Sequence, residues 1–243
     1  MSKKLFISII VVTYQAAETL QACIDSVWAQ TDLNKELIVI DGASTDATLE
    51  IIEVNKNKIS YFVSEPDAGI YDAMNKGIKQ AKGDYLYFLG ADDILLPKLH
   101  LLTIKMKGVN TIYYGDVRYK NAGIRYGGNF TPWKLVVKNI CHQSIFYPAS
   151  VFKKYAYSLQ YPLLADYYLN LQLMADKGFK FEYLKELICE YNEQGSSGVQ
   201  LDTQFISDKL QLVRSNYPYY IFVYAWFRKI IATYVLRKKY YLK

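Results

Sequence analysis

Asp92 and Asp93 stand side by side directly after the apolar run at residues 85–89. Two adjacent carboxylates at a strand end offer hard oxygen ligands to a divalent cation, and such a cation suits a diphosphate. The pair equally suits a helix N-cap, because Ile94-Leu95-Leu96-Pro97 follows and Asp is a favoured capping residue. Spacing alone leaves both readings open. Asp41 ends another apolar run, Leu37-Ile38-Val39-Ile40, although Asp41-Gly42 is also ordinary turn chemistry.

Regular elements must position these carboxylates. The patterning predicts a strand over 5–13, then a helix over 16–29 with Leu20, Ile24, Val27 and Trp28 on one face. A strand over 36–41 follows, then a helix to about residue 55 with Ser44 or Thr45 as its cap. A strand over 59–63, a helix over 70–82 closed by Gly83, and a strand over 85–89 complete the series. Alternating helices and all-apolar strands imply an α/β fold with a parallel sheet covered on both faces. Ligands in such sheets bind beyond the carboxyl ends of the strands. That rule marks Thr13-Tyr14, Asp41-Gly42, the loop 65–69 and the segment 90–93. Residues 116–200 are less regular. Short strands are expected near 111–119, 145–147 and 182–188, with a helix over 165–177 ended by Gly178 and a flexible loop at 194–198.

Composition narrows the class. The chain has 243 residues, 51% apolar and 21% charged, the balance of a globular protein and not of a disordered one. Cys23, Cys141 and Cys189 are far apart and form no CxxC pair. A disulfide framework or zinc ribbon is not expected, and a reducing compartment is. Two histidines exclude a multi-histidine metal site. Lys3 and Lys4 before an apolar run resemble a short signal peptide, but the β-branched residues at 7–12 favour a strand.

Four blocks carry a resemblance: ISIIVVTY at 7–14, ELIVIDGASTD at 36–46, SEPDAGIYDAMNKG at 64–77 and KGDYLYFLGADD at 82–93. In this order and spacing they resemble the family 2 glycosyltransferases. Looser matches follow at Cys141-His142-Gln143-Ser144 and Leu164-Ala165-Asp166-Tyr167. The resemblance implies an A-type glycosyltransferase fold, a mostly parallel central sheet with helices on both faces plus C-terminal helices. Residues 1–115 would be the nucleotide-sugar-binding half and 116–208 the acceptor-binding half. It implies inverting transfer from a nucleotide-diphosphate sugar, UDP favoured, to a hydroxyl of a glycan or lipid-linked glycan, as in bacterial surface polysaccharide assembly. A divalent cation, Mn2+ or Mg2+, would neutralise the leaving group.

By position, Thr13 and Tyr14 would line the nucleotide pocket, and Asp41 would accept a hydrogen bond from the base. Asp92 would match the last carboxylate of the D-x-D motif and bind the metal, with Asp93 beside it on the donor side. Asp166 would be the general base, or else a partner of its helix N-terminus. His142 could touch the metal or the diphosphate, or be hydrogen-bonded in the core. Lys76 could sit near the diphosphate or on a solvated helix face. Asp67 and Asn75 fall in the donor motif, where turn and cap chemistry are the alternatives. Gly90 replaces the first acid of D-x-D, Val12 stands for Pro, Gln15 for Asn, and Tyr168 for a second acid in the acceptor motif.

The C-terminus differs in charge. The net charge is +6, yet residues 209–243 hold eight Lys or Arg and no acid, leaving 21 basic against 23 acidic residues before them. That distribution argues against nucleic acid as a partner of the body. Residues 217–243 mix seven tyrosines with Phe222, Trp226, Phe227 and basic clusters at 228–229 and 237–239. The tail is expected to lie on an anionic membrane at its cytoplasmic face without crossing it. The alternative is a C-terminal helix packed on the domain. Rival functions are a non-catalytic nucleotide- or glycan-binding module, a membrane-surface adaptor acting through the tail, and, less favoured, a nucleotidyltransferase.

Overall fold

The computed structural model describes residues 4–97, 99–193 and 201–232. Strand β1 (Ile7–Thr13) is buried along its whole length. It pairs in parallel with β2 (Lys35–Asp41) on one side and β4 (Tyr85–Gly90) on the other, and β3 (Tyr61–Ser64) extends the sheet beyond β2. Burial of β1, β2 and β4 on both faces explains why they read as continuous apolar runs, whereas β3 alternates half-buried and exposed residues.

Beyond β4 the sheet is mixed, unlike the parallel series before it. β5 (Ile94–Leu95), β6 (Thr111–Tyr119), β7 (Arg125–Tyr126), β8 (Ile145–Pro148) and β9 (Lys180–Tyr191) give the order β3-β2-β1-β4-β8-β6-β9-β5, with β7 on β6. β8 runs antiparallel to β4 and β6, β9 parallel to β6, and β5 antiparallel to β9. The N-cap reading of Asp92-Asp93 therefore fails, because Ile94 and Leu95 are a strand paired to Glu190 and Cys189.

Alternate residues of each strand feed two apolar clusters. Ile7, Ile9 and Val11 join Leu20, Cys23, Ile24 and Val27 of helix α1 (Leu20–Trp28). Ile10 and Val12 join Tyr71, Ala73 and Met74 of helix α3 (Ile70–Gln80). Three caps differ from the sequence expectation. α1 starts four residues late because residues 16–19 form a turn. Helix α2 (Thr48–Val54) starts after Ala47, since the Ser44 hydroxyl is taken by Asp41. Gly83 does not close α3 but donates its N–H to Ser8 Oγ at 2.7 Å.

Helix α4 (Leu99–Lys105) flanks the first cluster, and α5 (Pro132–Leu135) and α6 (Ala165–Ala175) flank the second. Helices α7 (Thr203–Asn216) and α8 (Tyr219–Ile230) close the second cluster through Phe205, Val213, Tyr217, Ile221 and Ala225. The tail is thus partly a packed helix, with Tyr217 donating to Leu171 O of α6 at 2.7 Å. The opposite side of α8 leaves Tyr219, Tyr220, Trp226 and Phe227 exposed. Among the described residues no helix is long and apolar enough to cross a membrane. The loop at 194–198 and the basic cluster at 237–239 lie outside the described residues.

Candidate active site

Strand register builds the first wall. Thr13 is level with Asp41, Asp41 with Ser64, and Val12 with Gly90. Four strand ends therefore form one edge, the one expected to receive a ligand. Tyr14 projects from it 65% exposed, while Thr13 Oγ1 is buried without a hydrogen-bond partner among the described residues. Asp41 departs from its expected role. It is wholly buried and accepts from Ser44 N at 2.9 Å, Ser44 Oγ at 2.5 Å and Ser64 Oγ at 2.6 Å. Its carboxylate ties the loop after β2 instead of facing outward. Gln15, left-handed at φ 51°, completes that tie by accepting from Thr45 N and Asp46 N.

Asp67 stands where a ligand could meet it. A side chain on Gly42 would lie 2.6 Å from Asp67 Oδ2 and 3.4 Å from the Tyr14 ring, so glycine lets these three groups converge. Asp67 Oδ1 accepts from Gly69 N at 2.8 Å. Lys76 is occupied by its own loop, donating to Pro66 O at 2.9 Å and pairing with Glu65 at 2.9 Å. Asn75 is not on the donor side at all. Its amide clamps the Tyr157 backbone, donating to the carbonyl at 2.8 Å and accepting from the N–H at 3.0 Å.

The acid pair divides its labour. Asp93 is buried, and its oxygens accept from Gly90 N at 3.1 Å, Gln143 Nε2 at 3.0 Å and Asn192 N at 2.8 Å. A direct donor contact by Asp93 does not fit that surrounding; it is a positioning group. Burial, and then the neighbouring Asp92 charge, push its pKa up to about 6. Asp92 is half-buried and accepts from Asn192 Nδ2 at 2.8 Å. Gly90 explains the departure from D-x-D, because a Cβ there would lie 2.6 Å from Asp93 Oδ2 and 2.9 Å from Asp92 Oδ1.

The second centre is Asp166, which α6 presents in its first turn. Oδ1 accepts from Tyr71 OH at 2.9 Å and Tyr167 N at 2.7 Å. Oδ2 accepts from Asn139 Nδ2 at 2.9 Å and lies 3.2 Å from His142 Nδ1. Asp166 is 6% exposed, and four groups surround its carboxylate. Burial, then the Asp166 charge, raises the Tyr71 phenol well above its ordinary value. His142 thus faces Asp166. Among the described residues no three His, Cys, Asp or Glu side chains gather as a metal site.

A divalent cation still fits the acid pair. A small hard cation takes one or two protein carboxylates and completes its shell with phosphate oxygens and water. Asp92, turned from the core and steadied by one amide, supplies such an oxygen.

The family model described as "Glycosyl transferase family 2" matches residues 8–150. The chain belongs to glycosyl transferase family 2. This glycosyltransferase is 36% identical over 209 residues to a "PGL/p-HBAD biosynthesis glycosyltransferase" of Mycobacterium bovis, covering 82% of each chain. It is 28% identical over 179 residues, 70% of each chain, to the Escherichia coli "UDP-Glc:alpha-D-GlcNAc-diphosphoundecaprenol beta-1,3-glucosyltransferase WfgD". Its fold matches S. aureus TarS 1-349 in complex with UDP at a TM-score of 0.73 and 15% identity, over 96% of this chain and 75% of that one. The mannosyltransferase PcManGT of Pyrobaculum calidifontis, in complex with GDP-Man and Mn2+, matches at a TM-score of 0.59 and 18% identity, over 80% and 59%. The α/β architecture read from the strand pattern is thus that of solved glycosyltransferases.

Sequence reasoning passed over several residues that this glycosyltransferase uses to build the site. Tyr71, Asn139 and Asn192 carry no local signal, since each acts on a partner 27 to 100 positions away. Gln143 lay inside the CHQS block, and its neighbour His142 drew the attention instead.

Proposed function

We propose that the enzyme transfers a sugar, with inversion, from a UDP-sugar to a hydroxyl of a glycan or lipid-linked glycan. One observation carries this reading. Gln143 donates to Asp93 while the adjacent His142 faces Asp166. Consecutive residues thus touch the acid pair and the second carboxylate centre, which brings the leaving-group side and the nucleophile side within one residue of each other. A single displacement needs that arrangement: a charge-neutralising group behind the diphosphate and a proton acceptor by the incoming hydroxyl.

Asp92 would hold Mn2+ or Mg2+, which when bound supplies positive charge to the diphosphate oxygens. Asn192 holds Asp92 in place, with its backbone N–H on Asp93. Tyr14, Thr13 and Asp67 line the nucleotide end, and the Asp166 centre serves the acceptor. A single base on the face opposite the leaving group gives inversion. The nearest analogue is glycoside hydrolysis, where a paired carboxylate decides the stereochemical outcome. The donor class is supported by the relative that uses UDP-Glc and the neighbour bound to UDP-GlcNAc. A diphosphoundecaprenol-linked acceptor in that relative's name agrees with the exposed aromatic side of α8. On this reading residues 1–115 bind donor, residues 116–208 bind acceptor, and the tail rests on the anionic cytoplasmic face of a membrane.

Calorimetry with UDP and with GDP, in Mn2+ and in chelator, tests the donor reading. UDP should bind more tightly in Mn2+, and Asp92→Asn should abolish the difference. Equal affinity in both buffers removes the metal role, and a preference for GDP removes the uridine one.

A further inference from the structure

A base changes its hydrogen-bonding needs when it works. An ionised carboxylate only accepts hydrogen bonds, whereas a protonated one carries an O–H that must find an acceptor. Of the four groups around Asp166, the Tyr167 N–H can only donate. The Asn139 amide is held with its nitrogen toward Asp166, because its Oδ1 accepts from Asn170 Nδ2 at 3.0 Å. His142 Nδ1, 3.2 Å from Oδ2, could accept only in the ring tautomer with hydrogen on Nε2. That nitrogen is buried with no hydrogen-bond partner among the described residues, so the tautomer would leave a buried N–H unmet. Tyr71 differs from all three. Its hydroxyl has one hydrogen and two acceptors in reach, Asp166 Oδ1 at 2.9 Å and Leu163 O at 3.1 Å. The side chain is buried and its ring centroid lies 5.2 Å from that of Tyr157, so the hydroxyl can turn but not leave.

We propose that Tyr71 is a positioning residue whose hydrogen bond reverses with the charge of Asp166. While Asp166 is ionised, the Tyr71 hydroxyl donates to Oδ1. Once Asp166 has taken a proton there, the hydroxyl turns its hydrogen to Leu163 O and accepts from the carboxyl. The inference rests on the transfer reading above, with Asp166 as the base. As the acceptor hydroxyl's oxygen bonds to the anomeric carbon, its proton passes to Asp166. The bond from that carbon to the diphosphate oxygen breaks, and its electron pair leaves with the nucleoside diphosphate. Asp166 later gives the proton to water and Tyr71 turns back. Tyr71 keeps its own proton throughout, which agrees with burial and the Asp166 charge raising its phenol well above the ordinary value. A ring of donors alone would steady the anion and oppose its protonation, and the reversing hydroxyl removes that opposition. Tyr71 lies in the block at 64–77 matched to the donor, so one residue of that block reaches the acceptor side.

Tyr71→Phe removes the hydroxyl and keeps the ring packed on Tyr157, so the variant should fold. Carbon-13 NMR of labelled aspartate carboxyls in the full-length protein without ligand reads the first arm, the Asp166 signal being identified by its loss in Asp166→Asn. A hydroxyl that only donates steadies the anion alone, and its removal should weaken the acid by tenfold or more. A hydroxyl that reverses serves both forms, so its removal should change the acid dissociation constant by less than tenfold. A weakening of tenfold or more overturns the proposal. Burial raises the phenols of Tyr126, Tyr147 and Tyr157 and the Cys141 thiol, which keeps them neutral in this titration. His142 is the other group facing Asp166 that can change charge near neutral pH, and His142→Gln in both backgrounds removes its share. The second arm is turnover, read as UDP release from UDP-glucose or UDP-GlcNAc in Mn2+ with an undecaprenol-diphosphate-linked sugar. On the plateau of the pH profile, where Asp166 is ionised, Tyr71→Phe should lower kcat by about tenfold and leave KM for donor unchanged. A variant that moves only the acid limb and keeps the plateau rate overturns the reversal. Failure of the unaltered enzyme to release UDP would strike the transfer reading instead, and the carboxyl titration would still decide the part of Tyr71.

Discussion

The two acid centres were built by different rules. Asp92 sits at the end of a parallel strand, half-buried, its neighbour Asp93 sealed beneath it by Gly90, Gln143 and Asn192. Asp166 sits at the start of a helix, buried, and tied to a histidine, a tyrosine and an asparagine. The first centre leaves a carboxylate toward the solvent edge for a ligand that brings its own charge. The second uses its carboxylate on other protein groups. Burying an anion without partners is prohibitive, so Asp166 and Asp93 each sit among donors, while half-buried Asp92 has one. A family motif therefore marks the first centre more plainly than the second.

The comparison breaks most decisively at Asp166. Asp166→Asn should leave UDP binding unchanged and lower turnover by about 1,000-fold, within the range for acid–base groups. Comparable loss of donor affinity would merge the two centres into one.

Truncation after Asn216 sharpens it next. Removing Tyr217, Ile221 and Ala225 takes buried groups from the cluster beneath α6. We expect a loss of about 3–5 kcal/mol by denaturant unfolding. Amide exchange should rise first around α6 and not around β1 and β4. A truncated chain of unchanged stability would mean that the tail serves the membrane alone.

A smaller effect is expected at the donor centre from Gly90→Ala. The added Cβ must displace Asp93 Oδ2, costing about 1–3 kcal/mol. Mn2+-dependent UDP binding should weaken with it, and the His142 ring tautomer should not change.

A test away from both centres concerns Lys209, which is buried under α6 with Nζ donating to Tyr167 OH at 2.8 Å. Burial, and then Lys229, bring its pKa from 10.5 down to about 7. The folded state thus binds fewer protons than the unfolded chain between those values. Stability should rise as pH climbs from about 7 toward 10.5, by up to the order of 5 kcal/mol. Below pH 7 the charged form bears the whole penalty. Lys209→Met should flatten this slope between pH 7 and 9, measured as the difference from the unaltered protein. An unchanged slope would show that Lys209 keeps its ordinary pKa.

Legibility followed the same division. Strands β1, β2 and β4 were readable because each is buried on both faces and so continuously apolar; their ends named Thr13, Asp41 and the acid pair. What could not be read was direction of use. Asp41 and Asn75 carry donor-motif positions yet fold inward, since Ser44 and Ser64 reach the one and the Tyr157 backbone the other. Asp166 was visible as a helix-opening acid, but its partner His142 lies 24 positions away on another element, and no periodicity encodes such a meeting. In the mixed half β6, β8 and β9 were legible as strands, whereas the two-residue β5 was not, because it depends on pairing with β9, distant in sequence.

Asn192 sets a condition on synthesis. Its N–H and its amide hold Asp93 and Asp92 across separations of 99 and 100 residues. Chains fold from the N-terminus as they emerge, so the parallel sheet has all four strands while half the polypeptide is still unmade. A nascent chain halted before residue 192 carries every family motif, together with His142 and Asp166, and lacks the two Asn192 donors to the acid pair. The sheet is therefore in place well before the acid pair is fully set.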